Sequence, residues 1–149
     1  MIAEIKHIKD MSSEPDVLVM AASGWRELVK SSGISAETRY TFYGNIDCLV
    51  AYDEEGLPIG LISYFSNGEG KWWVSFSYVV PSFRGNGVWK ELWHKLVAHA
   101  QQSSIKYLDG GTHMDNVAMQ KAAESVGRVA ETITYTFKVP DVIPTIDGD

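Results

Sequence analysis

Between residues 47 and 80 the chain carries three β-prone runs, separated only by the short turns Asp53-Glu54-Glu55-Gly56 and Asn67-Gly68-Glu69-Gly70. Connections this short force consecutive strands to lie antiparallel, because a parallel return needs a crossover of about a dozen residues. Residues 47–52, 57–66 and 71–80 are therefore expected to form a meander. Pro58 stands near the start of the second run, where a missing donor is tolerated. The third run is rich in Trp, Phe, Tyr and Val, the side chains that suit a pleated surface. Whatever else the chain does, its other elements must pack around these strands.

Ahead of the meander, residues 2–9 read as a strand. Ser13, Pro15 and Asp16 then mark a helix start. Val17, Leu18, Ala21, Trp25, Leu28 and Val29 recur at helical spacing until Ser31-Ser32-Gly33. Residues 34–45 are less regular and hold an aromatic cluster, Tyr40, Phe42 and Tyr43. After the meander, Val88, Trp89, Leu92, Trp93, Leu96, Val97 and Ala100 line one side of a helix over 88–102. A short strand is expected at 105–110, and a helix capped by Asp115 or Asn116 that ends at Gly127. Residues 129–139 alternate: Val129, Ile133, Tyr135, Phe137 and Val139 share one face, and Ala130, Thr132, Thr134, Thr136 and Lys138 the other. That pattern predicts a last strand. The order gives a mixed α/β layer fold with an antiparallel first half and a crossover in the second. Residues 1–139 are expected to make one domain, and the acidic tail 140–149 to be loosely held.

Charge and composition narrow the function. The formal net charge of −6 argues against nucleic acid as the main partner and weakly favours a cationic acceptor. No run approaches the roughly 20 apolar residues of a membrane span. The amino-terminal residues do not resemble a secretory leader. A soluble, cytoplasmic protein is expected, and the single cysteine, Cys48, suits a reducing compartment and a place in the core. His94 and His99 are five apart rather than four, so no metal site is expected and exposure is their default.

The segment 78–89 carries the chemistry. A strand ends at Val80-Pro81, the turn Arg84-Gly85-Asn86-Gly87 follows, and an amphipathic helix begins at Val88-Trp89. The first turn of a helix leaves N–H groups unpaired at the positive end of its dipole, and glycines let backbone approach a phosphate closely. Arg84 adds a forked cation. No Gly-Lys-Ser or Gly-Lys-Thr follows, and the third glycine of a dinucleotide fingerprint is missing.

This segment resembles the GNAT acetyltransferases, whose signature is Arg or Gln, two residues, Gly, one residue, then Gly or Ala. Arg84, Gly87 and the preceding Val80-Pro81 match, while Trp89 stands where the small residue is usual and is expected to turn inward. Asp115-Asn116 followed by Gly127 is similar to the family's last helix. Where the family commonly places a tyrosine, seven residues after that asparagine, this chain has Ala123. The resemblance implies a mostly antiparallel central sheet of six to seven strands flanked by three to four helices. It implies acetyl-CoA as cosubstrate, held by Val79, Val80, Arg84, Gly85, Asn86, Gly87, Val88, Trp89 and Asn116. It also implies transfer to a primary amine on a protein or small molecule, with Trp25, Arg26, Tyr40 and Tyr43 on the acceptor side. His113, Asp115 and Tyr135 are the candidates for moving protons. A non-enzymatic binding module of the same fold is the alternative. A homodimer is compatible with either.

Overall fold

A computed structural model describes residues 1–31, 46–137 and 139–141. Five strands and three α-helices are present among them: β1 (Glu4–Ile8), α1 (Pro15–Ser31), β2 (Asp47–Tyr52), β3 (Pro58–Ser66), β4 (Lys71–Val79), α2 (Val88–Gln102), β5 (Tyr107–Gly110) and α3 (Val117–Ser125). The sheet runs β1-β2-β3-β4-β5, antiparallel throughout except for the parallel pair β4 and β5. The meander has the expected form, and the helix between β4 and β5 supplies the crossover that a parallel pair requires.

Alternation along β2 divides the core. Leu49 and Ala51 join Ile62, Tyr64 and Val74 under Val88, Leu92, Trp93 and Leu96 of α2. Cys48 and Val50 join Leu61 under Met11, Val17, Met20 and Ala21 at the α1 side. The sheet is thus covered on both faces, and each fully buried aliphatic side chain contributes about 1.5–3 kcal/mol. Burial pushes the Cys48 thiol up to about 12, reinforced by Asp47 and Asp10, so it stays protonated and inert at neutral pH.

Helix α1 contains a glycine at mid-length, which costs about 1 kcal/mol against alanine. The reason is a neighbour: a Cβ at Gly24 would overlap the ring of Tyr78 on β4. Tyr78 therefore lies directly on the backbone of α1 and sets how closely helix and sheet approach.

Several expectations need correction. Ser13 does not cap α1. Its Oγ donates to the Asp10 carbonyl at 2.6 Å within a 3-10 turn over Met11–Ser13, and the carbonyl of Glu14 accepts the first α1 bond, from Leu18. His99 is not simply exposed. Its ring sits 4.9 Å from that of His7 and 5.2 Å from that of Trp72, and burial lowers its pKa. The sheet has five strands rather than six or seven among the described residues, because 129–137 form no strand. Alternation gives a segment an apolar face but not a hydrogen-bonding neighbour, and no neighbour is met here. The acceptor-side residues Tyr40 and Tyr43, with Phe42, lie outside the described residues, as does the tail from 142 onward.

Two outcomes test this packing. Gly24→Ala is expected to lower stability by about 1–2 kcal/mol in urea denaturation, overpacking outweighing the helix-propensity gain; unchanged or greater stability would show that the Tyr78 ring is free to move. Cys48 is expected to resist a thiol reagent in the folded protein and to react fully in denaturant. Prompt reaction under native conditions would contradict its burial.

Candidate functional site

The β4–β5 ladder is short. It runs from Lys71 opposite Tyr107 to Val74 opposite Gly110 and stops there. At the next residue the β3–β4 register slips: Ser63 faces Phe76 while Tyr64 faces Val74, which leaves Ser75 as an extra residue in β4. This is a β-bulge, and bulges bend the strand that carries them. Ser63, only 1% exposed, stitches the bulge together. Its Oγ donates to the Phe76 carbonyl at 3.2 Å and meets Ser75 Oγ at 2.8 Å.

Past the bulge, β4 keeps β3 but has no strand partner on its other edge among the described residues. The Val80 N–H donates to the Ile59 carbonyl at 2.9 Å. Strand alternation therefore turns the backbone groups of Val79 and Ser77 away from β3, toward the side that β5 has left. The Val80 amide is spent, so of the two residues expected to offer an amide there, Val79 is the one whose N–H faces the open side.

The edge leads into the glycine turn. A 3-10 turn, Pro81–Phe83, is followed by Gly85 and Gly87 at φ +81° and +78°, left-handed conformations that glycine adopts without strain. The Asn86 side-chain amide donates to the carbonyls of Phe83 and Arg84 at 3.3 and 3.2 Å and fixes the loop from inside. Gly87 caps α2 without any side chain. The first helical bond is made by Glu91 to the Gly87 carbonyl, so the amides of Val88, Trp89 and Lys90 have no acceptor among the described residues. This helix start is an anion site in form.

The forked donors of Arg84 are engaged within the protein. Its Nη1 and Nη2 donate to the two carboxylate oxygens of Glu27, each at 2.9 Å, and its Nε donates to the Val79 carbonyl at 2.9 Å. The guanidinium also lies 5.4 Å from the centre of the Tyr78 ring. Its hydrogen bonds hold the Glu27 carboxyl below the usual range, so the pair is ionised at neutral pH. Arg84 thus ties α1 to the end of β4, and local attraction for an anion falls to the backbone amides. Glu27, 57 positions away, carries no signal in the sequence.

Trp89 turns inward as expected. Its ring stacks on Trp93 with centroids 5.9 Å apart, and its Nε1 donates to Ser77 Oγ at 3.1 Å. The indole thereby spans from the start of α2 to the unpaired stretch of β4. Ser63 is the site residue that sequence reading passed over, since nothing marks a lone serine in β3; from the sequence, Ser75 and Ser77 of β4 could only be expected to order a water chain.

The proton-transfer candidates are spread out. His113 and Asp115 sit together between β5 and α3, where His113 Nδ1 accepts from the Asp115 N–H at 3.0 Å and lies 3.6 Å from its carboxylate. Asn116 Oδ1 caps α3 by accepting from the Met119 N–H at 3.1 Å. Ala123, in place of the usual tyrosine, offers only a carbonyl, which receives Val126 and Arg128. Tyr135 is 89% exposed and shares no hydrogen bond or ring contact with these groups among the described residues. On α1, Trp25 packs edge-on to Phe76 at 5.9 Å, whereas Arg26 borders an open depression with Ser23, Glu27 and Lys30. No group of three metal-binding side chains occurs among the described residues, and no helix there is long and apolar enough to cross a membrane.

Comparison with known proteins agrees with this geometry. No curated protein matches by sequence. Among solved structures, the chain is similar to a ribosomal-protein-alanine N-acetyltransferase from Brucella melitensis biovar Abortus 2308, at 17% identity and a TM-score of 0.69, over 92% of this chain and 99% of that one. It is similar to the aminoglycoside 6'-N-acetyltransferase AAC(6')-Ih from Acinetobacter baumannii, at 18% identity and a TM-score of 0.64, over 92% and 98%. It is also similar to AAC(6')-Iy in complex with a bisubstrate analogue of CoA, at 16% identity and a TM-score of 0.67, over 92% and 98%. These likenesses establish a shared fold. The model of the acetyltransferase (GNAT) family matches residues 18–127, the span from α1 to the end of α3 that holds the bulge, the free edge and the glycine turn, and the chain belongs to that family.

Proposed function

We propose that the protein transfers an acetyl group from acetyl-CoA to a primary amine by direct attack on the thioester. The carrying observation is the break between β4 and β5 at the Ser75 bulge, which leaves a strand edge open and runs it into uncapped amides at the start of α2. Acetyl-CoA supplies the activated acyl group as a thioester. The residues present fit it: a free edge at Ser77 and Val79 suits the amide-bearing arm by strand addition, and the amides of Val88, Trp89 and Lys90 suit the diphosphate.

In this reading the Val79 N–H stabilises the negative charge that builds on the thioester oxygen. The amine nitrogen forms the new C–N bond as the C–S bond breaks, and the departing sulfur takes up a proton. A free alkylamine has a pKa near 10.4, so about one in a few thousand is neutral at pH 7 and a proton acceptor is needed. His113 and Asp115 are assigned that role. The sulfur is protonated from solvent or by Tyr135, since Ala123 has no proton to give. Arg26 and Trp25 border the acceptor side, and the acceptor is a small amine or a protein amine. The alternative, a binding protein without turnover, draws on Ala123 and on the lack of a carboxylate or imidazole within β4.

Calorimetric titration of CoA is expected to show binding, and Arg84→Ala to weaken it about tenfold, close to 1.4 kcal/mol, by releasing the turn from α1 and β4. Absence of binding in the parent would overturn the assignment, and thiol release with an amine panel separates enzyme from binder. Trp89→Ala removes the indole that lies against Ser77 and is expected to tighten CoA binding by a factor of about three to ten. Weaker binding would mean that the indole is itself part of the binding surface.

A further inference from the structure

At the end of the sheet away from the glycine turn, four strands and α2 bring polar and aromatic side chains to one point. His7 of β1 is met at Nε2 by the Tyr64 hydroxyl at 3.0 Å and by the Asp47 carboxylate at 3.3 Å. Its ring stands 4.9 Å from that of His99, in the last turn of α2. Tyr64 and Trp72 stack beside them with ring centres 4.5 Å apart, and the His99 ring lies 5.8 Å from Tyr64 and 5.2 Å from Trp72. None of these groups belongs to the site described above. That site lies at the other end of α2, where about 15 Å of helix separate Trp89 from His99.

The two imidazoles differ in what they can do with a proton. A proton on His7 has an acceptor, since oxygens of both Asp47 and Tyr64 stand at Nε2. The His99 ring has no hydrogen bond or ion pair among the described residues, only the rings of His7, Tyr64 and Trp72 around it. The groups that face it are His7 from β1, Asp47 from β2, Tyr64 from β3 and Trp72 from β4. On α2 itself Lys95, one turn back, is exposed. Burial and then the charge of His7 lower the His99 pKa, against an opposing pull from Asp47. Burial also pushes the Tyr64 hydroxyl up, so it stays neutral. A charge on His99 is therefore a second cation beside the first, with one carboxylate between them.

We propose that His7 and His99 form an acid-sensitive latch between β1 and the last turn of α2, closed while His99 is neutral and released when both rings carry a proton. β1 has use for such a tie. It is an edge strand that pairs only with β2, and Ile2 and Ile5 are its contacts with the core on the α2 side. The sign follows from linkage. The folded chain takes up the His99 proton at lower pH than the unfolded chain does. The stabilisation is therefore full above the ordinary histidine pKa of about 6.5 and is lost as pH falls through the lowered value. The latch stands independently of the reaction proposed above. It leaves the helix that carries the anion site firm near neutrality and loosened at its far end under acid.

Hydrogen exchange of the full chain tests this at about pH 7.5 and about pH 5.5, either side of the ordinary histidine value and above the carboxylate range. After correction for the intrinsic effect of pH, amides over 97–103 and 5–8 are expected to lose about tenfold more protection than those in the middle of α1, the change made by one pKa unit of differential protonation. In proton NMR the His99 ring is expected to titrate over the same pH interval as that loss. Folded His99→Gln and His7→Gln are each expected to abolish it, since neither can carry two charges at this point. A parent that keeps its protection under acid, gains it, or loses it evenly along the chain overturns the latch. So does a local loss that persists in folded His99→Gln. A His99 ring that titrates outside the interval overturns it without recourse to any variant.

Discussion

The architecture of the site depends on where β5 stops while β4 runs on. All four residues of β5, Tyr107 to Gly110, pair with Lys71 to Val74, and β4 continues to Val79 past the inserted residue Ser75. The extra residue needs somewhere to put its backbone, and the side chain of Ser63 provides it by taking the Phe76 carbonyl and the Ser75 hydroxyl. Both partners are small and polar, Ser63 in β3 and Ser75 in the aromatic-rich β4. Replacing Ser63 by an apolar residue would remove both side-chain bonds, a cost of about 0.5–1.5 kcal/mol each. The bulge is therefore held by a specific, satisfied hydrogen-bond pair rather than by loose packing, and the opening is a built feature of the sheet.

A second constraint fixes where that opening leads. Arg84 is the residue through which α1, the end of β4 and the glycine turn meet, with donors on Glu27 and on the Val79 carbonyl. Fork-to-fork pairing sets orientation as well as attraction, and lysine could not reproduce it. Since the pair is largely exposed, its worth lies in geometry more than in stability. Tyr78 completes the arrangement from below, filling the space that Gly24 leaves on α1. A chain of contacts thus runs from the middle of a helix, through an aromatic ring, to the loop that faces the anion site.

The sequence showed the parts that follow from local rules. Short turns dictated the meander, a helical period dictated α2, and two glycines before Val88 marked the uncapped helix start. Features made by distant partners were not legible. Nothing near Arg84 points to Glu27, and nothing in a serine inside a strand says that it sits at a bulge, because register is a property of two strands together. Ser13 illustrates a competition between local solutions: a capping serine was a sound reading, but Asp10 offered its carbonyl first. His99 shows the same limit, since its neighbours His7 and Trp72 come from β1 and β4.

Residues 129–139 carry this point furthest. Period-two alternation specifies a strand more firmly than most of the chain specifies anything, yet an isolated strand gains nothing from extending. Its backbone bonds must come from a neighbour, and its apolar face must leave water together with someone else's surface. Within one copy, the short ladder of β5 and the hold of Arg128 on Trp93 give the segment a starting point beside the edge without pairing it.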